Sequence, residues 1–290
     1  MKLIAFSKHF KEKSLSELIA IAHETGLDGW DLCVRPGYPV HPDNAHTALP
    51  DVVRQFAAEG VAIPMVTGNF DLVAIDHPTA VPILSAMDKA GVRFLKLGYY
   101  GFNPLKQDYW QEVSRIRRLW EGWQDLARRY SVRVCYHTHS DHCMGMDGGM
   151  LAHLLQGFDP QYIGAYLDPA HILVEGEEFP VALSIVKDYL SLVALKDVIM
   201  NRVEVNGHGK RSVNWLAAGK GMVDWTSVFT ELVRVKYDGP MSVHCEFVAP
   251  NDPQFMASIR QEIAFFRQIT SRFWPLGGND AAAGGAGAPS

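Results

Sequence analysis

Eight short apolar runs, each followed by a longer stretch with helical periodicity, set the pattern of this 290-residue chain. They occupy residues 2–7, 28–34, 61–67, 93–98, 132–137, 162–168, 191–196 and 240–246. Nearly unbroken apolar character over strand length is expected of parallel strands covered on both faces. The intervening segments carry stripes instead. Val113, Ile116, Trp120, Trp123, Ala127 and Tyr130 recur at spacings of three and four, with Arg115, Arg118, Arg128 and Arg129 on the other face. Ser14 and Glu17 form a capping box ahead of Leu18, Ile19 and Ala22, and the last stripe holds Phe255, Ile259, Ile263 and Phe266. Strict strand–helix alternation implies a parallel sheet, and eight strands close a barrel. The expected fold is a single α/β unit, a (β/α)8 TIM barrel over residues 1–272. An open doubly wound sheet is the alternative, but Ser7-Lys8-His9-Phe10-Lys11 stands where its Gly-rich turn would follow the first strand.

Two segments break the rhythm. Residues 197–223, rich in Gly, Asn, Lys and Arg, are expected to form a long polar loop acting as a lid over the site. Residues 277–290 are mostly Gly, Ala and Pro and are expected to be a disordered tail. A net charge of −5 gives no bulk attraction for a nucleic-acid backbone, so no nucleic-acid partner is expected. No run approaches the length of a membrane span, and no leader pattern opens the sequence, which points to a cytoplasmic protein without a membrane partner. Cys33, Cys135, Cys143 and Cys245 form no CxxC pair and read as buried thiols.

In a barrel of this kind the chemistry collects where the strands end. The fifth run ends in Tyr136-His137-Thr138-His139, with His142 just beyond; the sixth in Asp168, with His171 one turn later. The seventh ends in Lys196-Asp197 and the eighth in His244-Cys245-Glu246; Arg35 and Lys96 follow the second and fourth. Strand alternation places His137 with His139, His244 with Glu246, and Asp168 with Tyr166 on shared faces. Carboxylates beside imidazoles are the donor set of Mn2+, Zn2+ or Co2+, so one such divalent ion is the expected cofactor. Simpler readings exist for each residue. Asp168 suits a helix cap, His244 a supporting position beside Glu246, and Lys196 with Asp197 an ion pair at the rim.

The order of these motifs, from Gly26-Leu27-Asp28-Gly29-Trp30-Asp31 through Tyr136-His137-Thr138-His139, Asp168-Pro169-Ala170-His171, Leu195-Lys196-Asp197 and His244-Cys245-Glu246-Phe247, resembles the sugar phosphate isomerase/epimerase family. These are xylose isomerase-like barrels, related to endonuclease IV. The resemblance spans roughly residues 1–272. It implies one divalent metal held by Glu, Asp, His and Glu at the ends of the fifth to eighth strands. Asp168 and Glu246 match two of these. His142, with His137, is the expected replacement for the missing Glu, and Ala194 stands where the His would be.

The implied activity is sugar isomerisation or epimerisation by proton abstraction next to a carbonyl. Glu246, Lys196 and His139 are the expected catalytic residues; burial is expected to disfavour the Lys196 ammonium and fit it for base or shuttle work. Arg35, Lys96, His171 and Trp30 are expected to bind a small sugar, the two cations fixing an anionic or hydroxyl-rich substrate and Trp30 or Tyr99 stacking on a ring. Dehydration on the same site, an endonuclease IV-like phosphodiesterase and a non-catalytic sugar-binding barrel are the alternatives. The resemblance also implies a possible homo-oligomer.

Overall fold

All eight apolar runs are strands in the computed structural model, which describes residues 1–274. The expected tail at 277–290 lies outside the described residues. In chain order the elements are β1 Lys2–Phe6, α1 Leu15–Thr25, β2 Gly29–Cys33, α2 Ala45–Ala58, β3 Ala62–Thr67, α3 Ala80–Ala90, β4 Phe94–Lys96 and α4 Tyr109–Arg129. There follow β5 Arg133–His137, α5 Gly148–Leu155, β6 Ile163–Leu167, α6 Pro169–Val174, α7 Phe179–Val186 and β7 Leu190–Leu195. The last third holds β8 Asp197–Val205, β9 His208–Leu216, α8 Trp225–Arg234, β10 Pro240–Val243 and α9 Phe255–Phe273.

Strands β1 to β7 and β10 close one barrel in the order β1-β10-β7-β6-β5-β4-β3-β2, every pair parallel. The chain is thus a (β/α)8 barrel, as its alternating pattern requires. Closure runs through β1, whose Lys2 and Ile4 register with Pro240 and Gly29. Gly29 is needed there, because a Cβ would overlap the Ala62 carbonyl of the adjoining strand β3.

Local chemistry sets the helices. Ser14 Oγ accepts from the Glu17 N–H (3.2 Å) while the Glu17 carboxylate accepts from the Ser14 N–H (2.8 Å), starting α1 as a capping box; Gly26 ends it at φ 72°. Along α4, Val113, Ile116, Trp120, Trp123 and Ala127 are all buried against the strands. Phe255, Ile259, Ile263 and Phe266 do the same on α9.

Alternate strand residues divide two ways. Leu3, Ala5, Val134, Tyr136, Ala165, Leu167, Val193 and Leu195 join the large core shared with the helices. Ile4, Met65, Cys135, Tyr166, Leu192 and Ala194 form a separate cluster filling the barrel interior. This apolar plug closes the barrel below its polar mouth. The four cysteines are free and buried.

Residues 197–223 differ from the loop expected of them. Most form the antiparallel hairpin β8–β9, paired from Asp197 with Leu216 to Val205 with His208. Asp197 anchors its return, accepting from the backbone of Gly219 (2.9 Å) and Val223 (3.1 Å) and from Trp225 Nε1 (3.1 Å). These partners replace the rim ion pair with Lys196. Among the described residues no helix is long and apolar enough to cross a membrane.

Candidate functional site

The strand ends bring His137 (β5), Asp168 (after β6), Lys196 (after β7) and His244 (after β10) together, all buried. Asp168 does two jobs with two oxygens. Oδ1 caps α6, accepting from Ala170 N–H (3.0 Å) and His171 N–H (3.1 Å), and Thr138 Oγ1 fixes the Asp168 backbone (2.9 Å). The cap reading is therefore true of one oxygen only. Oδ2 points into the mouth, 3.2 Å from His137 Nε2, but neither atom makes an aligned hydrogen bond.

The opposite nitrogens of these rings are held. Tyr99 Oη lies 2.8 Å from His137 Nδ1, and Tyr166 Oη lies 2.9 Å from His244 Nε2. His137, Asp168 and His244 each offer a donor atom within 4.8 Å of the others. Donors around one ion with bonds of ~2.1 Å stand roughly 3–4 Å apart, so the group needs only a small contraction to hold one. His137 Nε2, which has no hydrogen-bond partner, and Asp168 Oδ2, which makes no aligned hydrogen bond, are the atoms such an ion would satisfy. Imidazole and carboxylate donors suit Zn2+, Mn2+ or Co2+.

Lys196 links this group to Glu246. Its ammonium lies 3.3 Å from Asp168 Oδ2, donates to Glu246 Oε2 (2.9 Å) and contacts His171 Nε2 (2.7 Å). Lys8 Nζ donates to Glu246 Oε1 (2.6 Å). Burial alone would push Lys196 down, but Asp168 and Glu246 outweigh it and raise its pKa above the ordinary lysine value. The expectation of a disfavoured ammonium is thus overturned: two carboxylates keep it charged. Burial likewise opposes ionisation of Glu246, yet Lys196, His244 and Lys8 hold its carboxyl well below the usual range. Burial, with Lys96 near His137 and Lys196 near His171 and His244, keeps those three imidazoles well below their ordinary pKa. They are therefore neutral at pH 7, as ligands must be.

The remaining expected residues divide. His139 is half-buried, its ring centroid 3.9 Å from that of His171 and 4.4 Å from Tyr99. His171 is held between Lys196 and Ser140 Oγ (2.8 Å). Arg35 and Lys96 are buried on the β2–β4 side, where Arg35 Nε donates to the Gly68 carbonyl (2.8 Å). Glu246, expected as a ligand, lies beside the trio with its oxygens on Lys8 and Lys196. Two residues fall outside. His142 is exposed in a left-handed turn (φ 58°), where its carbonyl accepts from Phe102 N–H (2.6 Å). Trp30 faces the helices, its indole N–H on the Leu18 carbonyl (3.2 Å) and its ring 5.0 Å from Phe10.

Three residues went unnoticed in the sequence. Asp31 is fully buried inside the barrel, accepting from Thr67 Oγ1 (2.6 Å) and Ser242 Oγ (3.2 Å). Burial, against those two bonds, raises its pKa to about 6. Strand alternation carried that signal: with Trp30 facing out, Asp31 must face in. Lys8 stands in the Ser7-Lys8 pair after the first strand, but its partner Glu246 is 238 residues away; Trp215 had no local signal. Trp215 on β9 lies 4.6 Å from the Lys196 ammonium and 4.8 Å from the His171 ring.

With this mouth at the C-terminal end of a closed barrel, the chain falls in a recognisable class. The family model of the xylose isomerase-like TIM barrel matches residues 19–269, and the chain belongs to that family. No curated protein matches it. Its fold is similar to that of 3-keto-D-glucoside 4-epimerase from E. coli (TM-score 0.71, 16% identity, covering 92% of this chain and 99% of the other). It is also similar to the probable 3-DHS dehydratase of Bacillus anthracis (0.69, 14%, 92% and 99%). The IolI protein with a bound zinc atom is a third (0.73, 14%, 95% and 100%). At these identities the likeness is one of fold.

Proposed function

We propose that this chain is a divalent-metal-dependent isomerase or epimerase of a keto sugar or sugar derivative, acting by proton abstraction next to the carbonyl. The observation that carries this reading is the buried trio His137, Asp168 and His244, in which His137 Nε2 has no hydrogen-bond partner, beside the Glu246–Lys196 pair. Family membership and the zinc in the IolI protein support it.

A Zn2+, Mn2+ or Co2+ ion held by His137, Asp168 and His244 would polarise the carbonyl and stabilise negative charge on its oxygen. Glu246, ionised at neutral pH, is the group that takes the proton. Two lysines make it a weak base, so abstraction relies on the acidity of the substrate carbon more than on base strength. Lys196 keeps its proton and donates a charged hydrogen bond to developing oxyanion character. Burial followed by Lys196 lowers the pKa of His139, leaving it neutral and able to accept a proton, while the Glu246 carboxyl, once protonated, is the group that returns one to carbon. Tyr99 and Tyr166 hold His137 and His244 in orientation.

The test is deuterium wash-in from solvent into a panel of keto sugars, with metal content measured on the same protein. Stoichiometric metal and exchange are expected for the natural chain, and loss of both for Asp168→Ala. Metal-free protein that still exchanges would sink the metal, and metal-loaded protein that exchanges nothing would sink the isomerase. One observation favours a second reading: a charged Lys196 2.9 Å from Glu246 is an acid next to a base, which loss of a β-hydroxyl requires. Dehydration would appear as a product lighter by one water.

A further inference from the structure

Buried cations ordinarily have counterions, because an unpaired buried charge is strongly disfavoured. Lys196 follows that rule with two carboxylates. Arg35 and Lys96 do not. Arg35 is 5% exposed and Lys96 3%, and among the described residues no carboxylate lies within 4.0 Å of either. Arg35 commits only Nε, to the Gly68 carbonyl, leaving both terminal nitrogens of its fork unused. Its guanidinium is steadied 4.5 Å from the Phe70 ring and 5.5 Å from Phe6. Lys96 has one long bond, 3.4 Å to the Leu97 carbonyl, and sits 4.2 Å over the Tyr99 ring.

Asp31 is the carboxylate closest to supplying the missing charge, but its oxygens already serve Thr67 and Ser242. Burial first, then Arg35, lowers the Lys96 pKa to about 7. Asp31 and Glu246 act in the opposite direction without coming within ion-pair distance. Tyr99 fixes where this pair lies: its face carries the Lys96 ammonium and its hydroxyl holds His137. One aromatic ring therefore separates the cation pair from the metal-ligand trio.

We propose that Arg35 and Lys96 form an anion subsite that takes the carboxylate or phosphate of an acidic keto sugar, holding it at the β2–β4 side while its carbonyl reaches the His137–Asp168–His244 side. The substrate class this defines rests on the isomerase reading above; the subsite itself does not. A planar guanidinium fork with an ammonium beside it matches either anion, the fork bidentately and the ammonium as a point charge.

Calorimetric titration of the full chain with three six-carbon ketoses tests this directly: D-fructose, D-fructose 6-phosphate and 5-keto-D-gluconate. At least one acidic ketose is expected to bind about tenfold or more tightly than D-fructose, with the advantage shrinking as salt rises. Which one binds better tells phosphate from carboxylate. Arg35→Gln and Lys96→Gln are expected to remove the advantage without changing metal content. If neither acidic ketose outbinds D-fructose, or if the preference survives both substitutions, the subsite is refuted. The preference of the natural chain is readable even if a variant fails to fold. Anion-dependent binding without deuterium exchange would leave the subsite standing and overturn the isomerase; exchange into D-fructose with no binding preference for either acidic ketose would do the reverse.

Discussion

Lys196 is the residue on which the mouth balances. It is the one ammonium shared by Asp168 and Glu246, and its side chain is 4% exposed. Removing one member of a buried ion pair leaves an uncompensated charge, at a cost of about 3–5 kcal/mol. Lys196→Met is therefore expected to lower unfolding free energy by that order in urea titration. The pH dependence has a definite sign. Glu246 has a folded pKa below its ordinary value, so its contribution is present above the ordinary carboxylate range and is lost as pH falls through the folded value. The gap between the natural chain and Lys196→Met should be widest near pH 7 and narrow below roughly pH 4. A gap that does not change with pH would mean that the Glu246 pairing contributes nothing. Residue type and position in the run were enough to find Asp168, His137 and Lys196 in the sequence. They were not enough for His142 and Trp30. His142 is two residues into a turn whose left-handed backbone aims it at solvent, and Trp30 differs from Asp31 only in which face of β2 it occupies. Residue type alone does not separate the two faces, because an aromatic ring suits a sugar as well as it suits a core.

At the scale of elements, the β8–β9 hairpin is the part whose role differs most from a generic connection. Its base is buried and tied down through Asp197, while residues 201–211 are exposed. Trp215 near the base packs on Lys196 and His171. Trp215→Ala is expected to weaken sugar binding by about tenfold while changing the melting temperature by only a few degrees, since cation–π and ring contacts of this kind contribute about 1–2 kcal/mol. A variant that binds sugar normally would exclude the hairpin from the site. The helix beneath it carries a second, independent prediction. Glu262 on α9 is 1% exposed, with Oε1 unpaired and Oε2 accepting from the Ala218 N–H (2.9 Å). Burial raises its pKa to about 8, with the Ala218 bond opposing and Asp197 adding to the rise. A raised carboxyl pKa stabilises the fold below the ordinary glutamate value, and that stabilisation is lost as pH climbs toward 8. Glu262→Gln keeps the acceptor without the charge. It should melt higher than the natural chain at pH 8–9, by roughly 1–3 kcal/mol of stability, and converge with it near pH 5. Equal melting at both pH values would show that Glu262 does not titrate in this window.

For the whole molecule, the site exists only because the barrel closes. His137 and Asp168 come from neighbouring strands, but His244 and Lys196 arrive from the last third of the chain, and Lys8 meets Glu246 across 238 residues. A metal that binds this assembled mouth and not the unfolded chain must stabilise it by mass action, about 2.7 kcal/mol at a hundredfold excess over Kd. Added Zn2+ is expected to raise the melting temperature of the natural chain and leave that of Asp168→Ala unmoved. An identical rise in both would place the ion elsewhere.

The sequence by itself determined the barrel, because an unbroken apolar run and a 3.6-residue stripe are local properties of each segment, and their eightfold alternation is read directly along the chain. It also determined that titratable side chains gather at one end, since every strand of a parallel barrel points the same way. Only the tertiary structure decided which of them meet, and in what state. Whether Lys196 is charged depends on Asp168 and Glu246, and Lys96 lies low because it is buried and Arg35 is near. His244 lies with His137 and Asp168 where His142 was expected because backbone handedness and barrel closure outweigh proximity along the chain. Electrostatic state is set by neighbours in space, falling off over a few ångströms, and spacing along a sequence does not encode those distances.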